Sequence, residues 1–177
     1  GKLYRRSLIQ KSGARFVDLA EIGSYEDGFF NLEVFGKADR VVYLAAYLYH
    51  YRRDGSSSVT SGYNPRLYDQ WQTLYDRMEA IIRSNQLGSE YEAALNNRIA
   101  LGILGLGLNI TVSTQSMGKK VKDIHRIIRQ ERYRKAYKNL PLNYFPIHWK
   151  LFYGCARHGF AFGVYVLLTV IQRIISR

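Results

Sequence analysis

Apolar residues recur along this chain with two different spacings, and the change between them divides it. Residues 3–10 read as a short helix or turn that Lys11, Ser12 and Gly13 break, and Arg15, Phe16 and Val17 read as a brief extended piece. Phe29, Phe30, Leu32, Val34 and Phe35 then follow two adjacent carboxylates, Glu26 and Asp27, at helix-like spacing. A short helix is therefore expected over 26–36, with both acids in its first turn or cap. Next come two β-branched and aromatic runs, 40–44 and 47–51, which predict strands. Residues 54–58 form a polar stretch of turn-forming residues, a loop.

After Asn64 and Pro65, an N-cap and first helical position by type, the spacing is helical throughout. Leu67, Trp71, Leu74, Tyr75, Met78, Ile81 and Ile82 mark one helix that runs toward Gly88. Ser89 and Glu92 have the spacing of a capping box for the next, which carries Leu95, Ile99, Ile103 and Leu106. Residues 99–118 hold no charge, but their glycines and the polar run 111–116 favour a buried central helix over a membrane span. Residues 119–138 are strongly basic, with nine Lys or Arg against Asp123 and Glu131 and an apolar seam of Val121, Ile124, Ile127 and Ile128. Pro141 ends that run. A last helix is expected over 160–175; its uncharged part, 159–172, is short for a span and suits burial or a position in a membrane interface. No internal repeat stands out.

Composition adds a partner class. With 177 residues and 47% apolar content the chain can build a core, and 15 Tyr with 8 Phe make it aromatic. The formal charge of +12 favours an anionic partner: nucleic acid, acidic lipid, or phosphorylated sugars and lipids. The lone cysteine, Cys155, excludes an internal disulfide and reads as a small apolar filler. No secretory signal pattern opens the chain.

Chemistry has few candidates. Glu26 and Asp27 have two readings: acids that suit the free N–H groups of a helix start, or a positioned general base that takes a proton from a hydroxyl. His125, His148 and His158 lack partners at metal-ligand spacing. The Gly102 to Gly105 spacing lacks the lysine of a phosphate loop, and the serines at 56–58 lack a nucleophile-elbow context.

Three motifs in order decide between the readings of Glu26 and Asp27. They are Gly1-Lys2-Leu3-Tyr4-Arg5-Arg6, then Glu26-Asp27-Gly28-Phe29-Phe30-Asn31, then Leu48-Tyr49-His50-Tyr51-Arg52-Arg53 followed by Gly55-Ser56. At this spacing they resemble the second half of the catalytic domain in bacterial family-two inverting glycosyltransferases of the GT-A type, which build capsules, exopolysaccharides and other surface glycans. The resemblance covers roughly the first sixty residues. The family's nucleotide-binding first half and its Asp-x-Asp metal motif have no counterpart, so the chain is expected to be a C-terminal fragment.

The resemblance implies that Asp27 is the base that deprotonates an acceptor hydroxyl, with Glu26 supporting the geometry or binding acceptor hydroxyls. His50, Arg52 and Ser56 could contact donor phosphate or acceptor, although an aromatic strand there is more often structural. A divalent metal, Mg or Mn, would serve the parent enzyme only, with no metal ligands in the fragment. Partners would be a nucleotide-sugar donor and a glycan or lipid-linked acceptor, in the cytoplasm or peripheral at the inner face of the plasma membrane. The fold expected is mainly α with a small β component: the end of a GT-A α/β catalytic domain over 1–62, then a helical domain over 63–177.

The competing function is a non-catalytic basic helical module for anionic membrane or nucleic acid. Against nucleic acid, no helix-turn-helix, zinc or aromatic-sheet signature appears. A purely structural interaction domain is a third. Residues 119–177 are expected to bind an anionic membrane surface without crossing it. A catalytic domain cut through its sheet would also favour self-association, hence a homo-oligomer.

Overall fold

A computed structural model describes residues 2–49 and 62–175. They form two compact units, one of Gly1–Ser61 with Arg66–Gly88, the other of Gly62–Pro65 with Ser89–Arg177. All regular structure among the described residues is helical.

The first unit contains α1 (Arg6–Ser12), α2 (Leu19–Ile22), α3 (Glu26–Phe35) and α4 (Leu67–Ser84). Asp18 caps α2, its carboxylate accepting from Ala20 N–H at 2.8 Å. The apolar spacing that predicted α3 and α4 is the spacing they bury: Phe29, Phe30 and Val34 on one, Trp71, Leu74, Tyr75, Met78 and Ile82 on the other. Polar ties fix α2 to α4: Gln70 donates to the Ala20 carbonyl at 3.0 Å, and Arg77 pairs with Glu21. Just outside α2, Ser24 Oγ accepts from the Trp71 indole at 3.1 Å.

Among the described residues the expected strands do not form, and residues 50 and 51 of the second lie outside them. Residues 40–49 are irregular and their side chains exposed, Tyr43 at 89% and Tyr47 fully so. High β-propensity reflects packing against cross-strand neighbours, and here neither run has a ladder partner among the described residues. The piece at 15–17 is likewise no strand. Among the described residues, helix and irregular chain thus stand where the small β component was expected, and none of them displays the sheet of an α/β catalytic domain.

The second unit is built around α5 (Ser89–Thr111), against which α6 (Met117–Arg129), α7 (Glu131–Asn139) and α9 (Ala161–Ile175) pack; α8 (Ile147–His158) lies on α7 and α9. By length and composition α5 is the one described helix able to cross a membrane, yet its Ile99, Ile103 and Leu106 are buried in this helical core. A β-carbon on Gly107 would stand 2.3 Å from Leu168, so this glycine is the socket that admits α9 to α5.

Asn64 is not a helix cap, since α4 begins at Leu67; instead its backbone N–H and carbonyl both bond the Asn109 side-chain amide, each at 2.8 Å. The basic run is two helices rather than one, divided where Gln130 turns extended (φ −60°, ψ 142°). Its seam is buried through Ile124, Ile127 and Ile128, continued by Tyr133, Ala136 and Tyr137. Arg157 closes the end of α7, donating to the Tyr137 carbonyl at 2.9 Å and the Leu140 carbonyl at 2.7 Å.

Candidate active site

Asp27 and Glu26 occupy the first turn of α3, Asp27 exposed and Glu26 half-buried. The backbone enters this turn through Tyr25 in the left-handed region (φ 76°), which costs an aromatic residue strain. Its ring lies across the turn, 2.2 Å from where a β-carbon on Gly28 would stand. Gly28 therefore admits the ring, and its N–H donates to Asp27 Oδ1 at 2.6 Å. Among the described residues Asp27 makes no ion pair, so its carboxylate is accessible to an outside hydroxyl.

Tyr4 completes this face. Its hydroxyl donates to Asn31 Oδ1, one turn along α3 from Asp27, and its ring meets Phe30 edge-on at 5.6 Å. Phe16 stacks on Phe30 at 4.5 Å. Partial burial, and after it the negative charge of Asp27, push the Tyr4 phenol above its ordinary pKa. Tyr4 thus stays a neutral donor beside a carboxylate. Neither Tyr4 nor Asn31 was singled out as a site residue from sequence. The Asp27 to Asn31 spacing of four is the local signal for one of them; the Tyr4 contact spans 27 positions and has no local signal.

The opposite row of α3, Phe29 and Glu33, lines a cavity of about 490 Å³ shared with Arg15, Phe16, Glu21 and Arg77. Glu33 Oε2 is shielded from solvent with no hydrogen-bond partner among the described residues. Neither Glu26 nor Asp27 lines this cavity. His50, Arg52 and Ser56 lie outside the described residues. No three His, Cys, Asp or Glu side chains converge on a metal position among the described residues.

Sequence comparison bears on what this face does. Over 100 residues the chain is 34% identical to EpsH of Bacillus subtilis, which carries a provisional glycosyltransferase name; the match takes in 56% of this chain and 29% of that protein. Over 153 residues it is 30% identical to EpsJ of the same organism, called an uncharacterized glycosyltransferase, taking in 86% of this chain and 43% of that protein. The chain is a relative of glycosyltransferases. It spans less than half the length of either curated relative, while the second match is long enough to run through both units. No family model and no solved structure matches.

Proposed function

We propose that this chain is the acceptor-side portion of an inverting, family-two glycosyltransferase of exopolysaccharide or related surface-glycan synthesis. The observation that carries this is the accessible Asp27 carboxylate, held at the head of α3 by Tyr25 and Gly28, in a chain related to two glycosyltransferases. Asp27 takes the proton of an acceptor hydroxyl as that oxygen bonds to the anomeric carbon of a nucleotide-sugar. The carbon–oxygen bond to the diphosphate breaks on the opposite face, and the nucleoside diphosphate leaves with the electron pair. Glu26 steadies the turn or binds acceptor hydroxyls. The nucleotide, and the divalent metal that would neutralise its diphosphate, belong to the rest of a longer protein. By the same reading His50, Arg52 and Ser56 serve donor phosphate or acceptor. A lipid-linked acceptor would bring the enzyme to the cytoplasmic face of a membrane.

The test is Asp27→Asn in the longer enzyme. Turnover should fall by about 10² to 10⁴ while donor affinity stays within about twofold, because the base is lost and phosphate contacts are not. Near-normal turnover would place the base elsewhere. The isolated chain should transfer no sugar and bind a nucleoside diphosphate sugar weakly or not at all, which calorimetry checks. A non-catalytic basic module remains the second reading, favoured by the charge of the second unit: fourteen Lys or Arg against four Asp or Glu.

A further inference from the structure

α9 is apolar on both sides, and only one side is used by the fold. Ala161, Val164 and Leu168 are buried against the unit, whereas Phe162, Val166, Val170 and Ile174 recur every four residues at 42–69% exposure. On α8, Ile147 and Leu151 form a second exposed row with the same spacing. The two rows meet: Cys155, one turn beyond Leu151, has its Sγ 3.1 Å from where a β-carbon on Gly163 would stand, and exposed Phe160 lies against the same glycine. With Phe160 at that corner, the two rows together expose seven large apolar side chains on α8, on α9 and between them. Monomeric soluble domains seldom leave such a patch uncovered.

Charge indicates what covers it. No Asp or Glu side chain occurs after Glu131, and Lys150 on α8 and Arg173 on α9 share the helices that carry the patch. The unit's four acids are Glu90, Glu92, Asp123 and Glu131, and Lys119 already holds Asp123 at 2.7 Å. A second copy would bring two strongly basic units together, which like-charge repulsion opposes. An anionic bilayer meets both requirements at once, accepting apolar side chains and attracting the cations around them. The 15 residues of α9 rise roughly 22 Å, short of the ~30 Å hydrocarbon core, so α9 lies along the surface rather than crossing it.

We propose that the α8–α9 face is an in-plane docking surface for an anionic lipid bilayer. The proposal stands independently of the sugar-transfer chemistry assigned to Asp27.

The experiment is flotation of the full chain with vesicles of phosphatidylcholine alone and of phosphatidylcholine mixed with phosphatidylglycerol. Binding to the anionic vesicles should be at least about tenfold tighter than to the neutral ones and should weaken as salt rises. The double variant Val166→Glu, Val170→Glu places carboxylates only at outward positions; it should keep its helical circular dichroism and lose at least about tenfold in binding. Should that variant unfold, Val166→Ser, Val170→Ser applies the same test without new charge. Undiminished binding by a folded variant would overturn the proposal. So would failure to bind either vesicle, or sedimentation showing a wild-type dimer that the variant splits, which would assign the face to a second copy. Covering of the face by the remainder of a longer protein would show as vesicle binding by this chain but none by the longer one, and would equally overturn it.

Discussion

The two units differ in where they expend their polar residues. In the first, twelve Lys or Arg stand against ten Asp or Glu, and several of these charges are committed to named tasks: Asp18 caps α2, Arg77 pairs with Glu21, and Asp27 holds the N–H of Gly28. In the second, cations outnumber carboxylates fourteen to four, and nine of the cations lie along α6 and α7, seven of them exposed. Nearly balanced charge with a strained, glycine-dependent turn is how a chain positions one group accurately. A large one-sided charge beside exposed apolar side chains suits attachment, which needs strength but little accuracy. The proposed chemistry and the proposed attachment thus fall in different units.

The sharpest way to break this division is Asp27→Asn, whose loss of turnover should leave the thermal unfolding of the second unit unchanged. A fall in vesicle binding by the same variant would mean that attachment depends on the first unit. Next in size is Leu168→Ala, which removes a fully buried side chain from the α5–α9 contact and should cost about 2–5 kcal/mol in urea unfolding. Trp149 in α8 reports that transition, while Trp71 in α4 reports the first unit. If Leu168→Ala is neutral, the α9 core side is not what holds the attachment face in place.

Gly28→Ala tests the opposite unit. Its new methyl would collide with the Tyr25 ring, and a cost of about 1–3 kcal/mol is expected unless the ring is removed as well. The pair Tyr25→Ser, Gly28→Ala should recover part of that loss; strictly additive costs would show that the ring is not the obstacle.

The smallest effect concerns alkaline pH. Burial raises the Tyr153 phenol from about 10 to about 12. A raised pKa stabilises the fold below the unfolded value, so the second unit should lose stability as pH climbs from about 10 to about 12. Tyr153→Phe should flatten that part of the curve, and an unchanged slope would assign it to other groups.

Most helices were legible because burial on one side imposes a period: Leu67, Trp71, Leu74 and Met78 could hardly be arranged otherwise. The described part of the expected strands, 40–49, is irregular because propensity describes a residue, whereas a strand exists only with a partner. The division of the basic run at Gln130 carried no glycine or proline to announce it. At the candidate site, the placing of Glu26 and Asp27 at a helix start was legible from the apolar run that follows them, but Tyr4 reaches Asn31 only through the fold. The orientation of α9 was hidden for another reason. Where Phe162, Val164, Val166 and Leu168 are all apolar, no period distinguishes inside from outside.

That ambiguity is resolved by a missing side chain on another helix. Gly107 leaves a notch that Leu168 fills, and one residue of slippage would turn α9 by about 100° and put a different side chain at the notch. The glycine acts as a keyway, indexing the helix to one angular setting. Positions 107 and 168 are accordingly constrained as a couple, since a larger residue at one demands a smaller residue at the other. Phe162, Val166, Val170 and Ile174 are free of that coupling and can be exchanged among apolar types without resetting the helix. A designer could therefore vary the proposed attachment by editing those four positions, with the angular setting left to a residue that has no side chain at all.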